Sequence, residues 1–114
     1  PVLISSHGTG TALNDKIESG AIRAVYGSGV ARNRVIATKS AHGHLIGGAG
    51  AIELVTGIQA MVNNLAPPIL NSLGPDPECD VPLVMEAEAH SFQAVVSNSF
   101  AFGGLNAVLI AKRV

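Results

Sequence analysis

Short apolar runs alternate with glycine- and proline-rich turns along this chain. VLISS (Val2–Ser6), RVIAT (Arg34–Thr38), SFQAVVS (Ser91–Ser97) and LNAVLIAK (Leu105–Lys112) have the length and composition expected of strands. Between the first two, Ile17, Ala21, Ala24 and Val25 recur at helical spacing, which predicts a helix over Asn14–Tyr26 with those residues facing inward. Asp15 and Glu18 have the spacing of a capping pair near its start, and Gly27 is a suitable stop. From Leu45 to about Asn63 the period is again helical, but the segment is apolar nearly all round, which predicts a helix buried on most sides. Gly43, Gly47, Gly50, Leu54, Gly57 and Met61 fall at three- and four-residue steps, a stripe along which another backbone can pack closely. Asn64–Pro82 contains Pro67, Pro68, Pro75, Pro77 and Pro82 and reads as an extended loop crossing the surface. The last two strands, joined by the short NSFAFGG connection (Asn98–Gly104), are expected to pair antiparallel. Strands alternating with helices indicate an α/β fold.

Unusual residues collect where these strands end. The first strand runs into HGTGT, where two glycines let the backbone turn sharply beside His7, Thr9 and Thr11. The second delivers Lys39, then His42 and His44, to the mouth of the apolar helix, whose N-terminus has unpaired N–H groups and partial positive charge. The connection after the third carries Phe100 and Phe102, in a chain only 4% aromatic. Parallel strands would bring all three ends to one edge. Histidines meeting there can act as bases, metal ligands or paired hydrogen-bond donors. A metal needs three or more ligands in good geometry, and no cysteine or acid stands near His7, His42 and His44 in sequence. No serine occupies a nucleophile-elbow setting. Donor histidines facing a developing oxyanion fit best. Glu53, a lone acid inside the apolar helix, needs a partner, and Lys39 is the nearest cation in sequence. GHLIGGAG lacks the phosphate-loop pattern of four spacer residues followed by Gly-Lys.

Composition narrows the setting. The 114 residues suffice for one domain, and charged residues are only 13% against 47% hydrophobic. So few charges suggest that part of the surface is covered by other protein, and the chain reads as part of a longer polypeptide. A net charge of −1 gives no electrostatic case for nucleic acid. No apolar run reaches the roughly 18–20 residues of a membrane span. Cys79, the single cysteine, fits a reducing compartment. Its proline-rich setting, with no nearby histidine, makes it a poor nucleophile.

HGTGTALND, TKSAHGHLIGGAGAIE and NSFAFGGLNA resemble three successive motifs of the β-ketoacyl-acyl-carrier-protein synthases, and PPILNSLGPDPECDVP is similar to that family's proline-rich segment between the last two. The resemblance covers nearly the whole chain but only the C-terminal part of such an enzyme. It implies a thiolase-like α/β fold, with residues 1–114 an incomplete C-terminal ketosynthase domain. It implies decarboxylative Claisen condensation of an acyl group with malonyl-carrier protein, without metal or organic cofactor. His7 and His44 would be the active-site histidines and Lys39 the active-site lysine. Glu53 would support, with Lys39, the polar network behind His44. Thr9 and Thr11 would bind pantetheine, and Phe102 would gate the acyl pocket. The nucleophilic cysteine would lie in the N-terminal part. Implied partners are acyl carrier protein, malonyl and acyl thioesters, that N-terminal part, and a second copy in a homodimer. The implied location is the cytoplasm, or the mitochondrial matrix or plastid in a eukaryote. A non-catalytic ketosynthase-like subunit, or a polyketide ketosynthase or chain-length subunit, is the alternative. Three positions depart from the family pattern: His42, which is given no catalytic role, Ala101 between the two phenylalanines, and Leu105.

Overall fold

The computed structural model describes all residues from Pro1 to Val114. Its centre is a four-stranded sheet in the order β2-β1-β5-β6, formed by β1 (Val2–Ser5), β2 (Arg34–Ile36), β5 (Ala94–Ala101) and β6 (Leu105–Lys112). A two-stranded ribbon, β3 (Leu65–Ala66) with β4 (Glu88–Ala89), stands apart. β1 runs parallel to both β2 and β5, with Ser5 opposite Ile36 on one side and Ser97 on the other. β6 returns antiparallel to β5.

Alternation along the strands sends successive side chains to opposite faces. Ile4 and Val35 pack with Ile22 of α1 (Ala12–Tyr26) on one face. Leu3, Ile36 and Val95 pack with Ala60 and Met61 of α3 (Ala49–Asn63) and with Phe92 on the other. The sheet is therefore the middle of three layers. α3 runs antiparallel to β5: Gly50 sits against Ser99 near the start of the helix, and Gly57 sits against Val95 further along. Only the stripe Ala49, Glu53, Gly57, Ala60 and Met61 is buried, whereas Val55 and Val62 are exposed. The expectation of a helix buried on most sides thus holds for one side of it within this chain.

Several boundaries differ from the sequence reading for identifiable reasons. β2 ends at Ile36, and Lys39–His42 forms a one-turn helix, α2, preceded by Thr38 in helical conformation. α3 starts at Ala49, not Leu45, after a 3-10 turn over Ile46–Gly48. The positive φ of Ile46, 50°, is incompatible with a right-handed helix. β5 extends to Ala101, so the connection to β6 is only Phe102–Gly104, with Gly103 and Gly104 at positive φ. α1 begins at Ala12, and Asp15 with Glu18 does not cap it. Its inward residues are Glu18, Ser19 and Ile22, while Ile17 and Val25 lie outside. The apolar spacing marked the outer face because the inner face carries an acid needed by the loop beneath it. The proline-rich crossing segment does not lie wholly on the surface. Ala66 enters the core, and at the far end Val35 N–H donates to Pro82 O while Val84 N–H, just past the segment, donates to Val35 O, which fixes the chain along the outer edge of β2.

Gly57 is the point of closest approach between α3 and the sheet. A Cβ there would lie 2.5 Å from Val95 Cγ1. Gly57→Ala in the full-length protein is expected to cost about 1–3 kcal/mol through overpacking, read as a lowered Tm. Adding Val95→Ala should recover part of the loss. An unchanged Tm for the single variant would show that the helix can shift away freely.

Candidate active site

The C-terminal ends of the parallel strands meet at one edge, as the sequence suggested. His7 leaves β1, Lys39 follows β2, and Phe100 lies near the end of β5. The chain turns after His7 at Gly8, whose φ is +47°. A side chain at Gly8 would collide with Ser6 Oγ at 2.7 Å and Ala37 Cβ at 2.9 Å.

The turn is folded around Glu18, a residue to which the sequence reading gave no role at the site. Its carboxylate, buried on α1, accepts hydrogen bonds from the N–H groups of His7 (2.9 Å) and Gly8 (3.0 Å). Asn98 Nδ2 of β5 donates to the same carboxylate at 3.0 Å, and Asn14 Nδ2 reaches it at 3.4 Å. Glu18 thus ties α1, the β1 loop and β5 together. The signal available in the sequence was an acid beside Ser19 and Ile22, which only the direction of burial distinguishes from a capping residue.

Lys39 and Glu53 form a buried ion pair. Lys39 Nζ also donates to His7 O at 2.6 Å and lies 3.4 Å from His7 Nδ1. The polar network therefore stands behind His7, where the family resemblance had implied His44. An ammonium can only donate, so Nδ1 of neutral His7 is the acceptor and its proton sits on Nε2. His44 reaches the same tautomer independently, because its Nδ1 accepts the Ile46 N–H at 3.1 Å. The two rings are 5.6 Å apart and nearly perpendicular, at 83°. Phe100 packs edge-on against His7 at 5.6 Å. Burial, then the Lys39 charge, push the His7 pKa below the ordinary imidazole value.

The remaining residues separate clearly. The hydroxyls of Thr9 and Thr11 bond each other at 2.8 Å, and both threonines line a groove of about 610 Å³ that also touches Lys39, His44 and Cys79. Cys79 belongs to the turn its N–H closes onto Asp76 O. His42 uses Nδ1 on Gly43 O and Nε2 on Thr38 Oγ1, both within its own turn. Phe102 is not brought to the histidines; it stands fully exposed at the tip of the β5–β6 hairpin.

Two outcomes test this arrangement. In the full-length protein, Glu18→Ala should leave the His7 and Gly8 N–H groups and Asn98 without their acceptor. At about 1–3 kcal/mol per buried orphan, the measured stability should fall by more than one hydrogen bond's worth. The second outcome concerns pH. The His7 ring, followed by NMR, should titrate below the ordinary value of about 6.5. Because the folded pKa is lowered, the linked stability is present above that value and lost as pH falls through the lowered one. Titration at or above 6.5 would contradict the burial and the Lys39 contact.

Residues 2–72 match the family described as "Beta-ketoacyl synthase, C-terminal domain". The 3-oxoacyl-[acyl-carrier-protein] synthase 2 of Coxiella burnetii is 42% identical over 112 residues, covering 97% of this chain and 27% of that protein. Nodulation protein E of Rhizobium leguminosarum bv. trifolii is 38% identical over 111 residues, covering 97% and 28%. Among solved structures, "The ishigamide ketosynthase/chain length factor" superposes with a TM-score of 0.90 at 42% identity, over 98% of this chain and 28% of that one. A type II PKS acyl-carrier protein in complex with its ketosynthase bound to the hexaketide gives 0.92 at 31% identity, over 98% and 28%. The chain thus spans little more than a quarter of the length of the relatives it matches, and its fold is the C-terminal part of the thiolase-like ketosynthase fold. With the motifs, the sheet and the paired histidines in agreement, this chain belongs to the β-ketoacyl synthases and carries their C-terminal domain.

Proposed function

We propose that residues 1–114 act as the C-terminal part of a condensing enzyme that joins an acyl group to malonyl-carrier protein, with loss of carbon dioxide, in fatty acid chain elongation. The observation that carries this reading is the occupied Nδ1 of both histidines, which leaves two Nε2–H donors side by side at one sheet edge. The thioester carbonyl of a malonyl group would accept from both. As the carboxylate leaves as carbon dioxide, the electron pair of the breaking C–C bond moves into the enolate, and negative charge grows on that oxygen. The enolate carbon then attacks the acyl thioester carried on a cysteine in the N-terminal part, releasing the cysteine thiolate and forming the β-ketoacyl product. Thr9 and Thr11 in the groove would bind the pantetheine arm. Phe102, on its exposed hairpin tip, would gate the acyl pocket. Lys39 and Glu53 hold His7 in place. The partners are acyl carrier protein, the N-terminal part and, in a homodimer, a second copy. The ketosynthase complex with acyl-carrier protein among the similar structures supports the first of these. The setting is a reducing cell interior.

A related reading is a non-catalytic chain-length subunit, favoured by the similarity to a ketosynthase/chain length factor structure. The buried Lys39–Glu53 pair set against His7 supports the enzyme instead, because a purely structural subunit does not need this arrangement.

Separating the half-reactions tests the proposal. In the full-length protein, His7→Ala should lower carbon dioxide release from malonyl-carrier protein by about 10²–10³-fold, the usual cost of one oxyanion donor, while acyl transfer to the cysteine remains. Loss of acyl transfer with carbon dioxide release intact would make His7 the cysteine's base and overturn the assignment. Phe102→Ala should instead alter acyl loading more than decarboxylation. An equal loss in both steps would reduce Phe102 to a structural residue.

A further inference from the structure

The chain leaves α2 through Gly43, and the next residue is His44. Gly43 has φ 78° and ψ 177°, a combination open to glycine and to almost nothing else. Its surroundings do not select that conformation, because a Cβ built there would meet no atom within 4 Å. Glycine is also the residue with the freest backbone. What holds its two torsions is therefore hydrogen bonding, and those torsions set the direction in which His44 leaves. Each of the peptide planes flanking Gly43 is held by one bond. In the plane before it, the Gly43 N–H donates to Lys39 O at 2.8 Å. In the plane after it, which contains the backbone nitrogen of His44, Gly43 O accepts from His42 Nδ1 at 2.8 Å. A carbonyl can only accept, so the His42 proton sits on Nδ1, the opposite tautomer to His7 and His44. The ring is itself anchored, because its Nε2 accepts from Thr38 Oγ1 at 3.0 Å. One side chain thus spans α2 from the residue before it to the residue after it. A four-residue helix does not hold its shape without such ties.

We infer that His42 is a positioning residue for His44: its Nδ1–H holds the Gly43 carbonyl, and with it the peptide plane from which His44 starts. The inference rests on the reading of His44 as a donor to the thioester oxygen. His42 itself has no ring nitrogen to offer a substrate, since both are used within the turn, and it does not line the groove. Lys39 needs no help from it, because Glu53 and the His7 carbonyl fix its ammonium. His44 is in a different position. It is exposed, and its ring makes a single hydrogen bond in the chain, so its placement depends on its backbone. Released from His42, the plane after Gly43 could rotate, carry the His44 ring with it and open the 5.6 Å spacing to His7.

The test uses the full-length protein and two substitutions that divide the ring's contacts. His42→Asn places an amide N–H where Nδ1–H stands, so it keeps the bond to Gly43 O and loses the one to Thr38. His42→Gln places its amide near Nε2 and does the reverse. His42→Gln should lower carbon dioxide release from malonyl-carrier protein by up to about 10²-fold, the cost of misplacing a reacting group by about 1 Å, while acyl transfer to the cysteine is unchanged. His42→Asn should stay within a few-fold of the wild type in both steps. A merely structural role would move the two half-reactions together. In the wild type labelled with ¹⁵N at histidine, His42 should carry its proton on Nδ1, and His7 and His44 theirs on Nε2. A fully active His42→Gln variant, an equal loss in the two variants, or a wild-type His42 with its proton on Nε2 overturns the inference. The wild-type spectrum decides the matter even if the variants fail to fold. If His44→Ala leaves carbon dioxide release intact, the donor reading fails instead, whatever the variants of His42 do.

Discussion

The site depends first on the buried pair between Lys39 and Glu53. Neither side chain has appreciable access to solvent, and the second oxygen of Glu53 has no partner within the chain. The compensation for burying two charges therefore rests on one contact, supplemented by the Lys39 bond to His7 O. Removing one member of such a pair typically costs about 3–5 kcal/mol, because the other charge is left uncompensated. That asymmetry is what gives the contact structural force. It links the chain just after β2 to the first turns of α3, and it presses the ammonium against the backbone of the residue that follows β1.

Glu18 works from the opposite layer. It satisfies the backbone donors that a sharp turn after a parallel strand would otherwise leave bare, and it reaches Asn98 on the neighbouring strand. His7 is thus held from both faces of the sheet, by a cation on the α3 side and a carboxylate on the α1 side. Gly8 makes this possible, since any larger residue would strike Ser6 and Ala37. Glu18 gains its full set of donors only when α1, the β1 loop and β5 are together. The turn at His7 is therefore satisfied by the same contacts that pack α1 against the sheet.

The larger outline was legible in the sequence because it rests on strong local patterns. The β-branched runs became β1, β2, β5 and β6, and the parallel arrangement of three of them carried His7, Lys39 and Phe100 to a shared edge. The partnership of Lys39 with Glu53 was legible because an acid in an apolar helix has few ways to exist. What was not legible depends on direction. An acid three residues after Asp15 looks the same in sequence whether it caps its own helix or points inward to a loop. Periodicity located an apolar stripe on α1 but not the layer it faces, and the stripe through Ile17 and Val25 turned outward. The delayed start of α3 follows from one backbone torsion at Ile46, which residue type argued against. Phe100 and Phe102 are two residues apart on one connection, yet β5 continues through the first and ends before the second, so only Phe100 reaches His7.

The electrostatics of the pair suit the proposed chemistry better than a cationic site would. A malonyl group carries its charge on the carboxylate before reaction and on the thioester oxygen as carbon dioxide departs. A cation free to approach the carboxylate would stabilise the ground state and oppose its loss, whereas catalysis requires interactions that strengthen toward the transition state. The nearest cation, Lys39, is engaged by Glu53 and by the His7 carbonyl. Its remaining effect on the His7 ring is to disfavour protonation, in the same direction as burial. A neutral imidazole is left, with its acceptor nitrogen toward the lysine and its donor free. Two neutral donors aimed at an oxygen that is only partly negative at the start gain strength as its charge grows, which is the condition for lowering a barrier. On the proposed chemistry the lysine would contribute through the tautomer and the protonation state of its neighbour, because its own charge is already matched.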